Sequence, residues 1–181
     1  VMAPVAALAF APLPQTAPSV PTARWLQDQV RWLADPERAG RQPGDDGHDQ
    51  ARDSLIARFT ALGLRPGGVD GGYAQPLTVP LGEGRSAVAA NVIGVLEGSD
   101  PVLRRQIVVV SAHYDHLGRG PHSQREADRG QIHPGADDNA SGVAVLLGAA
   151  AELARQPQPR TVVFVAFTGE EQGAVGSRYF V

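Results

Sequence analysis

Three short polar segments of the sequence carry side chains that could bind a metal ion and move a proton. They are His113-Tyr114-Asp115-His116, Asp137-Asp138-Asn139 and Glu170-Glu171. The chain contains no cysteine, so any metal must be held by imidazole and carboxylate groups. A hydrolytic site with two metal ions needs a carboxylate that bridges the ions and a separate base for the attacking water. Adjacent glutamates could divide this work, one binding metal and the other accepting the proton.

Each polar segment borders an element that would bring it to one edge of a sheet. An apolar run of strand length, residues 107–112, leads into His113, and a second run, residues 161–167, ends shortly before Glu170. Between them lies a helix-like apolar stretch, residues 143–154. Strand, helix and strand predict a βαβ unit with parallel strands. Since ligands bind beyond the carboxyl ends of such strands, we expect the polar segments to meet there.

The first segment follows the alternation of a strand. Residues i and i+2 point to the same side, so Asp115 can accept the imidazole N–H of His113 and orient it. A His-x-Asp pair alone is a weak indication, because such pairs are common among surface and core polar residues. His116 breaks the alternation, and we expect it to anchor the loop, although it could contact a substrate.

The other two segments also have ordinary structural interpretations. Asp, Asn and Ser are common N-cap residues, and one cap would account for part of residues 137–141. Glu170-Glu171 could be a solvated turn, although adjacent carboxylates at a buried strand end repel each other unless a cation or proton intervenes. In this order on one βαβ unit, the three segments together indicate a metal site more strongly than any one of them.

Composition places the chain among globular proteins. The 181 residues are 43% hydrophobic and carry a formal net charge of −3, which gives no reason to expect nucleic acid or an anionic membrane as partner.

Residues 1–11 resemble a secretory signal remnant that is too short to span a bilayer. The alternative for this segment is a disordered Ala/Pro tail. Residues 12–21 resemble a proline-rich linker. We therefore expect residues 1–21 to precede a single domain over residues 22–181, in a secreted or periplasmic protein without stable membrane insertion.

Patterning also predicts the elements before the βαβ unit. Thr22 is a candidate N-cap for a helix through Leu33, and a second helix is predicted at about residues 49–62. Residues 73–80 contain prolines that suit an edge strand. Residues 88–96 and 106–112 are predicted to pair as a hairpin. The long polar loop, residues 118–134, contains His122 and His133, which could line the mouth of a site or be solvated.

At these motifs the chain resembles metallopeptidase family twenty-eight, the aminopeptidases with two co-catalytic zinc ions. The resemblance covers about residues 38–181 and rests on residues 111–118, 135–142 and 169–173. It implies an α/β fold: a three-layer sandwich with a mixed, mainly parallel central sheet flanked by helices. It also implies two zinc ions as cofactors.

The resemblance implies a role for each matching residue. His113 would bind one zinc and Glu171 the other, while Asp138 would bridge both ions and could form a cis peptide with Asn139. Asp115 would orient His113, and Asp137 would lie behind the ligands. Glu170 would be the general base for a zinc-bridging water that attacks the scissile carbonyl.

The implied substrate is a peptide or protein with a free N-terminus, and no oligomeric state is indicated. Carboxypeptidases and dipeptidases of the same group are alternatives. Further alternatives are a glutaminyl cyclase-like acyltransferase, which works with one zinc, and a non-catalytic receptor-like ectodomain. The resemblance also implies two further ligands, an Asp and a His, beyond Val181. We therefore expect this sequence to be a fragment truncated at both ends and inactive by itself.

Overall fold

The computed structural model describes residues 21–120 and 130–181. The predicted signal remnant and His122 lie outside these residues. Within them, two helices precede four successive strands, and a helix, a fifth strand and a last helix follow; the strands form one mixed sheet. The helices are α1 (Ala23–Leu33), α2 (Asp46–Ala61), α3 (Gly142–Leu153) and α4 (Val175–Phe180). The strands are β1 (Arg65–Pro66), β2 (Ala74–Gly82), β3 (Arg85–Leu96), β4 (Ile107–His113) and β5 (Thr161–Phe167).

The five strands form one sheet in the order β1-β3-β5-β4, with β2 also paired to β3. β3 runs antiparallel to β1, β2 and β5, and β4 runs parallel to β5. The predicted mixed sheet with flanking helices is therefore confirmed. The expected parallel majority is not seen in this part of the sheet, because β3 joins its three neighbours in antiparallel fashion.

The predicted hairpin of residues 88–96 with residues 106–112 is wrong. β5 lies between β3 and β4, and pairs with both. The local hairpin is formed instead by β2 and β3, which are joined at Gly82–Arg85. β3 and β4 are therefore consecutive in the chain but are not neighbours in the sheet, because the later strand β5 lies between them.

The βαβ unit of β4, α3 and β5 is confirmed. The parallel register runs from Ile107 opposite Thr161 to His113 opposite Phe167. Tyr114 extends the pairing by donating its N–H to the main-chain oxygen of Phe167, at 2.9 Å. Both strands consequently end at the same level, and the polar segments that follow them start side by side.

Helices cover both faces of the sheet. On one face a large core contains side chains of α1, α2 and α3 packed against sheet residues that include Val92, Val162 and Phe164. On the other face Val163 and Val165 belong to a smaller cluster that Phe180 of α4 contacts. The alternation of Val162 to Val165 between two cores explains why β5 is apolar throughout.

The helices before the sheet begin close to the predicted positions. The Thr22 hydroxyl accepts the N–H of Trp25 at 3.1 Å and caps α1, as expected. α2 begins at Asp46, three residues before the predicted start at Asp49. Asp46 and Asp49 both lie in its first turn, where negative charge favours the helix dipole.

β4 is much more exposed than its apolar sequence suggests. Ile107, Val108 and Val109 are exposed, because among the described residues β4 pairs only with β5. The predicted edge strand is β2, which among the described residues pairs only with β3.

Across residues 21–120 and 130–181, no helix is both long and apolar enough to cross a membrane.

Candidate metal centre

Three loops bring imidazole and carboxylate groups together at the carboxyl ends of β4 and β5. His116 follows β4, Asp138 lies in the irregular turn Ala136–Ser141 before α3, and Glu171 follows β5. One potential ligand atom from each of these three side chains lies within 4.8 Å of the other two. Nδ1 of His116 also makes a short contact with Oε1 of Glu171. Within the described part of the chain this is the group of three that could hold a metal ion.

His113 lies outside this group of three but contacts Asp138. Its Nε2 is 2.9 Å from Oδ1 of Asp138 and 3.9 Å from Oε2 of Glu170. Burial alone would lower the pKa of His113, but Asp115 and the charges of Glu170 and Asp138 outweigh burial and raise the pKa to about 9. The imidazole is therefore protonated at neutral pH without a metal, and it must release this proton to become a ligand.

Asp115 is fully buried and joins the two strand ends. Its carboxylate accepts the N–H of Glu170 at 3.2 Å and lies 3.4 Å from the N–H nitrogen of Glu171. Nδ1 of His113 lies 3.2 Å from the main-chain oxygen of Asp115 and 3.6 Å from its Oδ1. The residue therefore orients His113 mainly through its main chain, while its carboxylate fixes the turn that carries the two glutamates.

In the turn before α3, Asn139 caps the helix and Asp138 does not. The side-chain oxygen of Asn139 accepts the N–H of Gly142 at 3.0 Å, so Asn139 serves the start of the helix. Asp138 is left with its side chain 66% exposed and in contact with His113. The expected cis peptide between Asp138 and Asn139 is present. Asp137 is exposed, and among the described residues its side chain makes no hydrogen bond.

Buried polar groups hold Thr168, the residue that follows β5, through hydrogen bonds. The N–H of Thr168 donates to the side-chain oxygen of Asn91 at 3.1 Å, and the N–H of Gly176 donates to the main-chain oxygen of Thr168 at 3.0 Å. Nε2 of His48 lies 2.8 Å from the Thr168 hydroxyl. Burial lowers the pKa of His48 to about 4, despite the opposing charges of Asp115 and Asp49. His48 is therefore neutral at pH 7 and belongs to the scaffold.

The structure gives two residues a place that the sequence did not predict for them. His116 joins Asp138 and Glu171, whereas we expected it to anchor the loop or to contact a substrate. The chain leaves strand geometry after His113, so the alternation no longer says where the next side chains point. Arg41 lies behind the centre and is fully buried. Residues 38–44, which also contain Arg38, read only as a loop in the sequence and did not predict this. His133 is nearby, with its ring centroid 6.4 Å from that of His116.

The donor set fits zinc. Two imidazoles, of His113 and His116, and three carboxylates, of Asp138, Glu170 and Glu171, lie together at the end of the sheet, and the sequence offers no thiolate. Zinc is commonly held by His nitrogen and Asp or Glu oxygen, at about 2.0–2.2 Å. Asp138 contacts His113 and also belongs to the group with His116 and Glu171. One of its carboxylate oxygens could therefore serve His113, and the other could serve His116 and Glu171.

The fold is that of zinc-dependent exopeptidases and glutaminyl cyclases. A solved structure of a Zn-dependent exopeptidase from Parabacteroides distasonis has a TM-score of 0.67 and 20% identity, covering 86% of this chain and 55% of that chain. A glutaminyl cyclase from Fimbriiglobus ruber has a TM-score of 0.72 and 21% identity, covering 91% of this chain and 55% of that one. At these identities the likeness concerns the fold alone.

The chain belongs to peptidase family M28, whose sequence profile matches residues 91–181. Aminopeptidase YwaD of Bacillus subtilis is 34% identical over 104 residues, which are 58% of this chain and 20% of that protein. A protein of Pyricularia oryzae named "probable zinc metalloprotease" is 41% identical over 91 residues, which are 50% of this chain and 16% of that protein. The matches thus span a fifth or less of these two relatives, and about half of the solved structures.

Proposed function

We propose that this chain carries the metal site of a zinc-dependent exopeptidase, and that the reaction is removal of N-terminal residues from peptides or proteins. The observation that carries the proposal is the meeting of His116, Asp138 and Glu171 at the ends of two parallel strands. Membership of peptidase family M28 and the zinc metalloprotease relatives support the same chemistry.

We propose two zinc ions that share Asp138. One ion would be held by His116, Asp138 and Glu171, and the other by His113 and Asp138. The support is that His113 contacts Asp138 from outside the group of three. His116 supplies an imidazole beside Glu171, since its Nδ1 is in short contact with Oε1 of that residue.

Glu170 is the proposed general base. Bound zinc lowers the pKa of a coordinated water towards 7. The side chain of Glu170 is 47% exposed and lies 3.9 Å from His113, so it borders the metal donors and remains open to solvent. From there its carboxylate can accept a proton from a water molecule and return it to the leaving amine.

The preference for an aminopeptidase over other exopeptidases is supported by the Bacillus subtilis relative, which is named an aminopeptidase. Carboxypeptidase and dipeptidase activities are alternatives, and neither this relative nor the one from Pyricularia oryzae is named for one of them. A glutaminyl cyclase-like acyltransferase has support from the fold alone. A non-catalytic ectodomain is disfavoured, because His113, His116, Asp138 and both glutamates are all present and close together.

The test compares three substrates with the complete protein and zinc. An aminoacyl p-nitroanilide with a free amine, its N-acetyl derivative and a peptide with N-terminal glutamine separate the activities. The proposal predicts release of nitroaniline from the free amine substrate only, and loss of that release in Glu170→Gln. Cleavage of the acetylated substrate would argue against an aminopeptidase, and cyclisation of glutamine without peptide hydrolysis would favour the acyltransferase.

We also propose export to a secreted or periplasmic location, which rests on the apolar, alanine-rich residues 1–11. Fractionation of cells that express the complete protein tests it. The proposal predicts recovery outside the cytoplasm, and retention in the cytoplasmic fraction would refute it.

A further inference from the structure

Arg41 is a fully buried arginine whose guanidinium donates hydrogen bonds to main-chain oxygens of the described residues. It donates four hydrogen bonds, with donor–acceptor distances from 2.5 to 2.9 Å, to the carbonyl oxygens of Leu33, Tyr114, Pro134 and Gly135. No carboxylate of the described residues lies within ion-pair distance of it. A buried cation is costly unless its donors are satisfied, and here four carbonyls meet that need.

The four carbonyls belong to three separate parts of the fold. Leu33 ends α1, and Tyr114 lies between His113 and Asp115 in the segment after β4. Pro134 and Gly135 directly precede the turn that contains Asp138. One side chain thus joins the two loops that carry His116 and Asp138, and ties both to α1.

The main chain of the same segment continues this connection. The N–H of His116 donates to the main-chain oxygen of Arg41 at 3.1 Å, and the N–H of Gly118 donates to that of Gly40 at 2.9 Å. Arg41 has a φ of 52°, a left-handed conformation that costs a non-glycine residue energy and persists only where its surroundings enforce it. At Gly40 a Cβ would lie 2.5 Å from the main-chain oxygen of Gly118, so only glycine permits the approach.

The charge of Arg41 also acts on the metal donors. Burial lowers the pKa of Arg41 to about 10, while the charges of Asp115, Asp138 and Glu171 oppose this fall. The guanidinium therefore keeps its positive charge at neutral pH and attracts the same carboxylates that would repel one another without a metal.

We propose that Arg41 is a positioning residue that holds the loops of His116 and Asp138 at metal-binding distance before any metal arrives. This inference rests on the proposed zinc site. Arg41 is distant in sequence from the metal donors. It preforms the site through hydrogen bonds to both loops and through a positive charge that offsets three carboxylates.

The test measures zinc affinity by competition with a chromophoric chelator for wild type, Arg41→Lys and Arg41→Met. The matched control is Arg58→Met, because Arg58 is also deeply buried and its pKa is also lowered to about 10, but by burial alone and without a neighbouring carboxylate.

We expect Arg41→Met to weaken zinc binding by about 10- to 100-fold, the range found when groups behind metal ligands are removed. Arg41→Lys keeps the charge but cannot reach four carbonyls, so it should weaken binding less. Arg58→Met should lower the unfolding midpoint and leave the zinc affinity of the folded protein unchanged.

A measurement on the unaltered protein keeps the inference testable if the variants do not fold. In the metal-free wild-type protein, the N–H groups of His116 and Gly118 should be protected from hydrogen exchange, because Arg41 and Gly40 already bind them. Unprotected amides at both positions would overturn the inference, as would equal zinc affinities in wild type and Arg41→Met. If the wild-type protein bound no zinc at all, the proposed function itself would fail, which is a distinct result.

Discussion

The carboxylate of Asp115 accepts the main-chain N–H of Glu170, with 3.2 Å between Oδ1 and nitrogen. This contact spans 55 positions of sequence and joins the ends of two parallel strands. It fixes the turn in which Glu170 and Glu171 face the metal centre. The buried aspartate thus positions the proposed base and a proposed ligand together.

Asp115→Asn should weaken zinc binding by about 10- to 100-fold, because an amide presents one N–H₂ group where the carboxylate accepts two main-chain N–H groups. A chelator competition assay measures the change. Asp137→Asn is the control, since Asp137 is exposed and directly precedes Asp138 in the sequence, and this variant should bind zinc as the wild type does. Equal affinity in both variants would mean that the Asp115 contact does not shape the site.

The two adjacent glutamates should separate by function. Glu170→Gln should retain zinc and reduce turnover by about 10²-fold or more, because general-base catalysis contributes rate rather than metal affinity. Glu171→Gln should lose both zinc and activity. Zinc content after dialysis and turnover in the complete protein give the two readouts. If zinc were lost in Glu170→Gln, this residue would be a ligand and the assignment of the base would be wrong.

His116 and His133 form a matched pair for testing the ligand set. Their rings are neighbours, yet only His116 shares the group with Asp138 and Glu171. His116→Ala should reduce zinc affinity strongly, whereas His133→Ala should have little effect. The reverse order of affinities would remove His116 from the metal site.

Stability should depend on pH through His48. Its pKa is lowered to about 4 in the folded protein by burial, against about 6.5 in an unfolded chain. The unfolded state therefore binds more protons between these values, and folding free energy is lost as pH falls through this window. The loss attributable to His48 between pH 7 and pH 5 is about 2 kcal/mol.

Urea unfolding of the wild type and of His48→Gln at both pH values measures this contribution. The comparison cancels the effects of the other histidines, which are common to both proteins. The variant should lose less stability than the wild type on going from pH 7 to pH 5. Identical losses would show that His48 takes up a proton in the folded state.

The sequence predicts local elements of this protein well, because their patterns are read within one element. β4, α3 and β5 are where apolar runs place them, and Thr22 caps α1 as predicted. The pairing of β3 with β5 was not predicted, because it depends on contacts between segments that are far apart in the sequence. The hairpin expected across residues 97–105 fails for this reason.

The site was also predicted only in part. Residue type and position beside the βαβ strands indicated which three segments meet, and the family resemblance named His113, Asp138 and Glu171 within them. The place of His116 could not be predicted, because its direction depends on the path of the chain after β4. The role of Arg41 depends on four carbonyls from segments up to 94 positions away, and no local pattern records such contacts.

We propose that zinc binds between the ends of β4 and β5, and a zinc-edge anomalous difference map from crystals of the zinc-loaded protein would show the ions. One peak is expected about 2.0–2.2 Å from donor atoms of His116, Asp138 and Glu171. A second peak should lie beside His113, with Asp138 shared between the two ions. A map with no peak at these side chains, or with its peak elsewhere on the protein, would show that this is not the zinc site.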